Sequence, residues 1–248
     1  MTPASFKWSI RHLQVWCSSC MVAFSGSDPI GVLIGAKRPS GTLVHKIAVH
    51  PDHRRQGHGR HLLTSLSSKL AILGPPRMIA EVPETLAPAC GLFSACGYVE
   101  EAILTDYVLQ PAERERDVRE LPGRFVIPVT VDDLVANGLL GEADPHVCWE
   151  RSVETLTAKK DDIEGLAVAS DERIEAYLLN GKDGEILALR SLVDDGGARL
   201  KQLLARLGIG TFRFLKVHPA EMSKELLETV GFRPAGGYLL YAARARSE

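Results

Sequence analysis

Three arginines and two glycines lie close together in this sequence, in a combination that suits the binding of an anion. Arg54, Arg55 and Arg60 supply positive charge, and arginine forms bidentate hydrogen bonds with phosphate oxygens. Gly57 and Gly59 have no Cβ atom, so a phosphate group can approach the backbone closely there. A diphosphate is the ligand that this loop suits best.

The flanking residues predict a strand before this loop and a helix after it. Upstream, the mostly apolar run from Val44 to Val49 predicts a strand, and Pro51 ends it because proline has no N–H to donate. Downstream, leucines at spacings of three and four predict one apolar helical face: Leu62, Leu63, Leu66 and Leu70. The two glycines are therefore expected at the N-terminus of the helix, where unpaired N–H groups and the helix dipole attract a phosphate.

Three phosphate-binding patterns can be compared with this loop. A P-loop has Lys and then Ser or Thr after its second glycine, but Arg60 and His61 follow Gly59. The dinucleotide-binding fingerprint has a third glycine where this chain has Leu62, and no acidic strand end follows at the required distance. The third pattern, Arg-x-x-Gly-x-Gly behind a strand that ends in Val-x-Pro, is present, and it resembles the acetyl-CoA-binding motif of the GNAT superfamily of N-acetyltransferases. The alternative is a glycine-containing turn with a solvated basic face.

The resemblance to GNAT proteins implies where a CoA molecule would lie. It implies acetyl-CoA as the co-substrate, without a metal ion, and a pantetheine arm between two splayed parallel strands, Leu43–Val49 and Met78–Val82. A short helix from Leu86 to Cys96 follows and ends at Gly97, and Val99–Leu109 resembles the closing hairpin of the family. The residues implied in CoA binding are Ile47, Ala48, Val49, Arg54, Arg55, Gln56, Gly57, His58, Gly59, Arg60 and Phe93.

Acyl transfer to an amine also needs a general base and a donor to the developing oxyanion. By resemblance, a backbone N–H near Val49 is the oxyanion donor. His45 is one candidate base, because it shares a strand face with Ile47 and Val49 and an imidazole pKa of about 6.5 suits the task. Glu81, on the neighbouring strand beside the gap, is the other candidate. Either residue can instead be structural or face the solvent.

The chain departs from the family at the residue that protonates the leaving group. Four residues before Gly97, many family members have a tyrosine that protonates the CoA thiolate, and this chain has Phe93, which has no proton to donate. The thiolate leaves with the help of water, or Tyr98 or Tyr107 donates the proton, or the site binds acyl-CoA without transfer. The sequence therefore supports two functions: an N-acetyltransferase that acts on a primary amine, and a non-catalytic acyl-CoA-binding regulatory module.

The order of elements recurs in the second half of the chain. Residues 111–123 are charged, contain two prolines and end in glycine, which predicts a linker between a first unit, residues 1–110, and a second unit, residues 124–248. The clearest repeat, at a constant shift of 134 residues, pairs Gly97, Tyr98 and Tyr107 with Gly231, Phe232 and Tyr241. The expected fold class is α/β, an α+β mixed-sheet arrangement with two GNAT-like units. Each unit is a twisted mixed sheet flanked by helices, with splayed central strands.

The second unit differs from the first in its loop and at its start. In the loop Ser191–Gly197, Asp194 and Asp195 stand where a diphosphate would need positive charge, so this unit is expected to be degenerate. The same two carboxylates can instead cap the following helix. Phe125–Val129 predicts an opening strand that the first unit has no residues to match. Because an unpaired edge favours aggregation, we expect a segment from the linker, the C-terminal unit or a partner subunit to cover that edge.

Composition narrows the classes of partner. The 248 residues carry a net charge of −2 and 45% are hydrophobic, which is typical of a globular protein and gives no reason to expect nucleic acid as a partner. No apolar run is long enough to cross a membrane, and five cysteines, an odd number, fit reduced thiols. A cytoplasmic protein without a membrane partner is therefore expected. The sequence does not determine whether the acceptor is a small molecule or a protein amine. It also does not determine whether the chain forms a homodimer.

Overall fold

A computed structural model of the protein describes residues 2–111, 123–141 and 144–246. They divide into two units: unit 1 comprises Met1–Ile103 and Tyr238–Glu248, and unit 2 comprises Leu104–Gly237. Within these described ranges, no helix has the length and the apolar composition that crossing a membrane requires.

Helices and strands follow one another in a similar order in the two halves of the chain. The helices are, in chain order, α1 (Pro3–His12), α2 (His58–Leu73), α3 (Ala87–Ala95), α4 (Val131–Ala136), α5 (Val153–Ala158), α6 (Ala198–Ala205) and α7 (Lys224–Thr229). The strands are β1 (Met21–Ser25), β2 (Asp28–Arg38), β3 (Gly41–Val49), β4 (Arg77–Pro83), β5 (Val99–Leu109), β6 (Phe125–Pro128), β7 (Ile163–Ala169), β8 (Ile174–Gly181), β9 (Glu185–Ser191), β10 (Phe212–Val217) and β11 (Arg233–Arg244). Short 3-10 turns lie at Cys17–Ser19, Pro51–His53, Trp149–Arg151 and Lys160–Asp162. Strand β3 and helix α2 confirm the two elements predicted on either side of the arginine loop.

The sheet of unit 1 has the strand order β1-β2-β3-β4-β11. Neighbouring strands are antiparallel except β3 and β4, which are parallel. Because side chains alternate along β4, Met78, Ala80 and Val82 point to one face, where they are buried against α2 and α3. The leucine face of α2 packs into the same core, as its spacing predicts.

The sheet of unit 2 has the strand order β5-β10-β9-β8-β7-β6. Here β9 and β10 are parallel, and the other neighbours are antiparallel. Strand β6 pairs with β7 and confirms the predicted opening strand of this unit. The core includes Leu203 of α6 and the fully buried rings of Phe214 and Phe232. Both units therefore have the mixed, helix-flanked sheet that the sequence predicts.

Each unit is closed by a strand from the other half of the chain. Residues 238–244 of β11 pair with β4 in unit 1. Residues 105–109 of β5 pair with β10 in unit 2. Because Val99–Leu109 forms one continuous strand, the closing hairpin expected there is wrong. The two units therefore differ from the expected ranges 1–110 and 124–248 at these closing strands.

Strand β1 forms one edge of the unit 1 sheet, and no described strand pairs with its outer side. A bridge between Val15 and Ala36 extends this edge along β2. The covering segment expected at this edge is not found among the described residues. Linker residues 112–122, to which that expectation partly refers, lie outside them.

Candidate functional site

Helix α2 begins at the two glycines of the arginine loop, as predicted. Gly57 directly precedes the helix and has a φ of 88°, in the left-handed region that favours glycine. No side chain caps this helix end, and the first turn contains no acidic residue. The N–H of His61 donates to the carbonyl of Gly57 at 2.9 Å, so the N–H groups of the three preceding helical residues have no acceptor within the helix. This end of α2 therefore presents backbone donors and a positive dipole to an anion.

The two glycines have different physical roles. A Cβ atom at Gly59 would lie 3.0 Å from Leu92 Cδ2 on α3, so this glycine allows the two helices to pack closely. A Cβ atom at Gly57 would meet nothing within 4 Å, and the constraint there is the positive φ. One glycine therefore shapes the backbone of the loop, and the other places α3 beside the start of α2.

The three arginines of the loop have different surroundings. Arg54 donates from Nε to the carbonyl of Val49 at 3.0 Å, which ties the loop to the end of β3. Arg55, which has a φ of 64°, and Arg60 are exposed. Arg60 lies beside Cys96, where burial raises the pKa of the thiol and the guanidinium opposes that rise. Arg55 and Arg60 are therefore the cations best placed to reach a bound anion.

Gln56 and His58 are held by contacts within the loop. Gln56 donates from Nε2 to the carbonyl of Asp52 at 3.1 Å. The ring of His58 lies edge-on to that of His53, with centroids 6.2 Å apart, and His53 in turn lies edge-on to His50 at 6.0 Å. In the part of the chain that the structure describes, no set of three or more His, Cys, Asp or Glu side chains is arranged to hold a metal ion.

Strands β3 and β4 separate part of the way along their length. The ladder between them ends at the pair Leu43 and Ile79, although β3 continues to Val49 and β4 to Pro83. The separation begins beside a β-bulge, because His45 is skipped in the register of β3 against β2. The predicted splay is confirmed, and an extended molecule can lie between the two strands and pair with backbone groups as an added strand does.

The two candidate bases lie on the two strands that border this gap. His45, Ile47 and Val49 are half-buried on β3, and Ala48 is exposed. The predicted alternation holds from Lys46 to Val49, whereas the bulge at His45 interrupts it. Glu81 is half-buried on β4, beyond the last pair with β3 and on the face opposite to α2 and α3. The structure brings both residues to the gap, and their catalytic roles stay predictions.

Phe93 is buried on α3 in contact with two tyrosine rings. Its ring lies edge-on to Tyr98 with centroids 5.1 Å apart, and it stacks on Tyr241 at 5.9 Å with an interplanar angle of 18°. Burial raises the pKa of Tyr98, whose hydroxyl donates to Met78 Sδ at 3.7 Å. Tyr107 packs in the core of unit 2.

Tyr241 is the residue at this site that sequence reasoning missed. The repeat pairs it with Tyr107 and so assigns it to the second unit, but β11 carries it into unit 1, opposite Ala80 of β4. A signal was present in Val99–Leu109, which contains no Gly, Pro or Asn and has Asp106 alone among the residue types that favour turns. Without that hairpin, the sheet of unit 1 needs a strand from elsewhere.

In unit 2, a carboxylate occupies the helix end that corresponds to the start of α2. Gly197 directly precedes α6 and has a φ of 86°. Asp195 accepts hydrogen bonds from the N–H groups of Gly197 and Arg199, both at 3.0 Å, and from the guanidinium of Arg199 at 2.7 Å. Partial burial acts to raise the pKa of Asp195, but these hydrogen bonds outweigh it and lower the pKa. The capping role is confirmed for Asp195, and the protein itself supplies the anion at α6.

Replacement of Asp195 with alanine should lower the free energy of unfolding by about 0.5–2 kcal/mol, the usual contribution of a helix cap. Because the pKa of Asp195 is lowered in the folded state, this stabilisation is complete above the unfolded pKa of about 3.9 and is lost as the pH falls through the folded pKa. Urea unfolding at pH 7 and at successively lower pH measures the effect, with the exposed neighbour in Asp194→Ala as the control. A deficit in Asp195→Ala that stays constant as the pH falls would contradict the capping role.

A buried arginine satisfies the backbone of β10 just beyond its last pair with β9. That ladder ends at Phe214. Arg151, which is 2% exposed, then donates to the carbonyls of Leu215 and Lys216 at 3.0 and 3.2 Å. It also forms a bidentate ion pair with Glu221, with both bonds at 2.6 Å. A ligand that paired with these carbonyls would have to displace Arg151. An extended molecule therefore cannot pair with β10 at Leu215 and Lys216 while Arg151 keeps these hydrogen bonds.

Comparisons with known proteins agree with this geometry. Residues 2–98 match the model of the acetyltransferase (GNAT) family. The chain is similar to a tandem GNAT protein from the clavulanic acid biosynthesis pathway, with a TM-score of 0.65 and 16% identity over 92% of this chain and 83% of that one. It is also similar to a GCN5-related N-acetyltransferase from Sphaerobacter thermophilus, with a TM-score of 0.68 and 14% identity over 92% of this chain and 81% of that one. A third such structure, from Anabaena variabilis, has a TM-score of 0.66 and 10% identity over 99% of this chain and 67% of that one.

Proposed function

We propose that this chain, a tandem GNAT protein, uses unit 1 to transfer an acetyl group from acetyl-CoA to a primary amine. The observation that carries the proposal is an uncapped, arginine-lined helix N-terminus beside a pair of parallel strands that separate. In unit 2, Asp195 fills the corresponding helix end, and Arg151 donates hydrogen bonds to carbonyls of β10, the counterpart of β4. This contrast within one chain supports unit 1 as the unit that binds CoA.

The residues of unit 1 fit the successive parts of a CoA molecule. The N–H groups of His58, Gly59 and Arg60, together with the side chains of Arg55 and Arg60, suit the pyrophosphate. The backbone of β3 near Val49 suits the pantetheine arm, because the ladder with β4 has already ended there. In this arrangement Arg54 stabilises the loop, because its Nε donates a hydrogen bond to the carbonyl of Val49 at the end of β3.

Acetyl transfer then needs a neutral amine and a donor to the carbonyl oxygen. His45 or Glu81 removes the proton of the amine, since both are half-buried on the strands that border the gap. By analogy with the family, a backbone N–H near Val49 stabilises the negative charge that develops on the carbonyl oxygen. The acceptor itself, a small molecule or a protein amine, stays a prediction, as do the cytoplasmic location and a homodimer.

A non-catalytic acyl-CoA-binding module is the second candidate function. Phe93 favours it, because α3 carries no proton donor at the position where many family members have a tyrosine. Incubation with acetyl-CoA and a panel of amines separates the two candidates through the amount of free thiol released. Thiol release that depends on the amine supports the transferase, whereas tight CoA binding without thiol release for any acceptor supports the module.

Charge reversal in the loop should weaken CoA binding. Arg55→Glu and Arg60→Glu should each raise the Kd for CoA about ten- to hundredfold, because each removes a charge-assisted hydrogen bond of about 1.5–3 kcal/mol. Isothermal titration calorimetry measures this change. Arg11→Glu, at an exposed arginine of α1, is the matched control and should bind CoA as the wild type does. Unchanged affinity in both loop variants would mean that the CoA site lies elsewhere.

A further inference from the structure

We infer that Tyr241 gives a proton to the sulfur of CoA as the bond between this sulfur and the acetyl group breaks. This inference rests on the acetyl transfer proposed for unit 1. At the position where many family members have a tyrosine, α3 carries Phe93, which has no proton to donate. The missing donor is then supplied by β11, the strand that the C-terminal end of the chain contributes to unit 1.

The ring of Tyr241 lies directly against the ring of Phe93. The two rings stack with centroids 5.9 Å apart and an interplanar angle of 18°. Opposite Tyr241 in the ladder between β4 and β11 is Ala80, which belongs to the same buried cluster and whose small side chain leaves room for a large ring. Tyr241 and Phe93 therefore lie together on the helix-covered face of β4, the strand that borders the gap.

The hydroxyl of Tyr241 differs from that of Tyr98, the other tyrosine in contact with Phe93. Tyr98 donates its hydroxyl to Met78 Sδ, within the core. The Tyr241 hydroxyl makes no hydrogen bond to any described residue, and it is not among the buried atoms of those residues that lack a partner. The residue is only 4% exposed, and its oxygen is therefore not completely buried. A fixed ring whose hydroxyl is neither completely buried nor hydrogen-bonded to a described residue is suited to donate a proton to a bound ligand.

Tyr238, the other tyrosine of β11 in unit 1, lies on the opposite face of the strand. It pairs with Pro83, three residues before Tyr241, so strand alternation directs its side chain away from Phe93. Tyr238→Phe therefore removes the same chemical group from the same strand without touching the aromatic cluster. It is the matched control for Tyr241→Phe.

The proton moves from oxygen to sulfur as the thioester bond breaks. The amine nitrogen attacks the acetyl carbonyl carbon, the C–S bond breaks, its electron pair passes to sulfur, and sulfur takes the proton of Tyr241. The proton lost by the amine goes to His45 or Glu81, which passes it to the solvent, and the phenolate takes one proton back from the solvent. The products are the amide and the free thiol, and no further reactant is needed.

The ionisation of the thiol in bound CoA tests this assignment without an acceptor. Because a hydroxyl that donates to sulfur favours the thiolate, the bound thiol should ionise about one to two pH units lower in the wild type than in Tyr241→Phe. The thiolate absorbance of protein saturated with CoA is followed against pH, with S-methyl-CoA as the reference for tyrosine absorbance. Tyr238→Phe should titrate as the wild type does.

Turnover provides a second measurement. With an amine that the wild type acetylates, Tyr241→Phe should lower kcat about a hundredfold and leave the KM for acetyl-CoA near its wild-type value. Phe93→Tyr in the Tyr241→Phe background should restore much of the rate, because it returns a hydroxyl to the same cluster. A merely structural role for Tyr241 would not produce this rescue.

A wrong assignment of Tyr241 and a wrong proposed function would give different results in these experiments. Identical thiol titrations in the wild type and Tyr241→Phe, with CoA bound to both, would overturn the assignment of Tyr241 and leave the proposed transferase in place. A wild-type chain that binds no CoA would instead overturn the proposed function, and this inference with it.

Discussion

A chain that ends at Gly237 is expected to lose CoA binding together with the folded structure of unit 1. The missing residues include 238–244, which pair with β4 along its whole length. Leu240, Tyr241 and Ala242 are buried in this strand. Burial of a large apolar side chain contributes about 1.5–3 kcal/mol, so removal of the strand takes away a large share of the roughly 5–15 kcal/mol that stabilises a typical domain.

A chain that ends at Arg246 is the matched control, because it keeps every residue that pairs with β4. Urea unfolding and calorimetry with CoA measure the stability and the affinity of the two chains. The control should match the full chain, and the chain that ends at Gly237 should show no heat of CoA binding. Full CoA affinity in the shorter chain would show that β11 is not needed for the unit 1 site.

The second large effect is expected in unit 2, where Arg151→Met should lower the free energy of unfolding by about 3–5 kcal/mol. The substitution leaves the Glu221 side chain, which is 5% exposed, as a buried charge without its partner. The carbonyls of Leu215 and Lys216 also lose their donor. Because methionine keeps much of the side-chain volume, the loss reports on charge and hydrogen bonding more than on a cavity.

Urea unfolding measures this loss, and an exposed ion pair of the same unit provides the control. Lys182 pairs with Asp162, and their side chains are 66% and 60% exposed, so Lys182→Met should change the free energy of unfolding by less than about 1 kcal/mol. The double variant Arg151→Met/Glu221→Leu should recover part of the loss, since it removes the unpaired carboxylate. A loss below about 1 kcal/mol for Arg151→Met alone would contradict the role assigned to this buried pair.

The arginine loop and its flanking elements could be predicted because local patterns determine them. Pro51 ends the apolar run of β3, the leucine spacing defines the buried face of α2, and Gly57 has the positive φ that a glycine permits. The resemblance to GNAT proteins then predicted the gap between the two parallel strands. The early end of their ladder, at Leu43 and Ile79, confirms it.

The exchange of closing strands and the contacts within unit 2 could not be predicted in the same way. The choice of neighbour for β5 and β11 depends on which sheet offers the better packing, which no pattern within a strand reveals. Arg151 belongs to no motif, and its role arises only when folding brings it to the carbonyls of Leu215 and Lys216. For the same reason, the contact of Tyr241 with Phe93 becomes visible only in the structure.

A crystal structure of the CoA complex tests most directly the claim that unit 1 alone binds the co-substrate. We expect one CoA molecule per chain, with its pyrophosphate at the N-terminus of α2 and its pantetheine arm between β3 and β4. We expect none at α6, where Asp195 already occupies the helix end. A CoA molecule bound at α6, or one bound to unit 1 away from the start of α2, would contradict that claim.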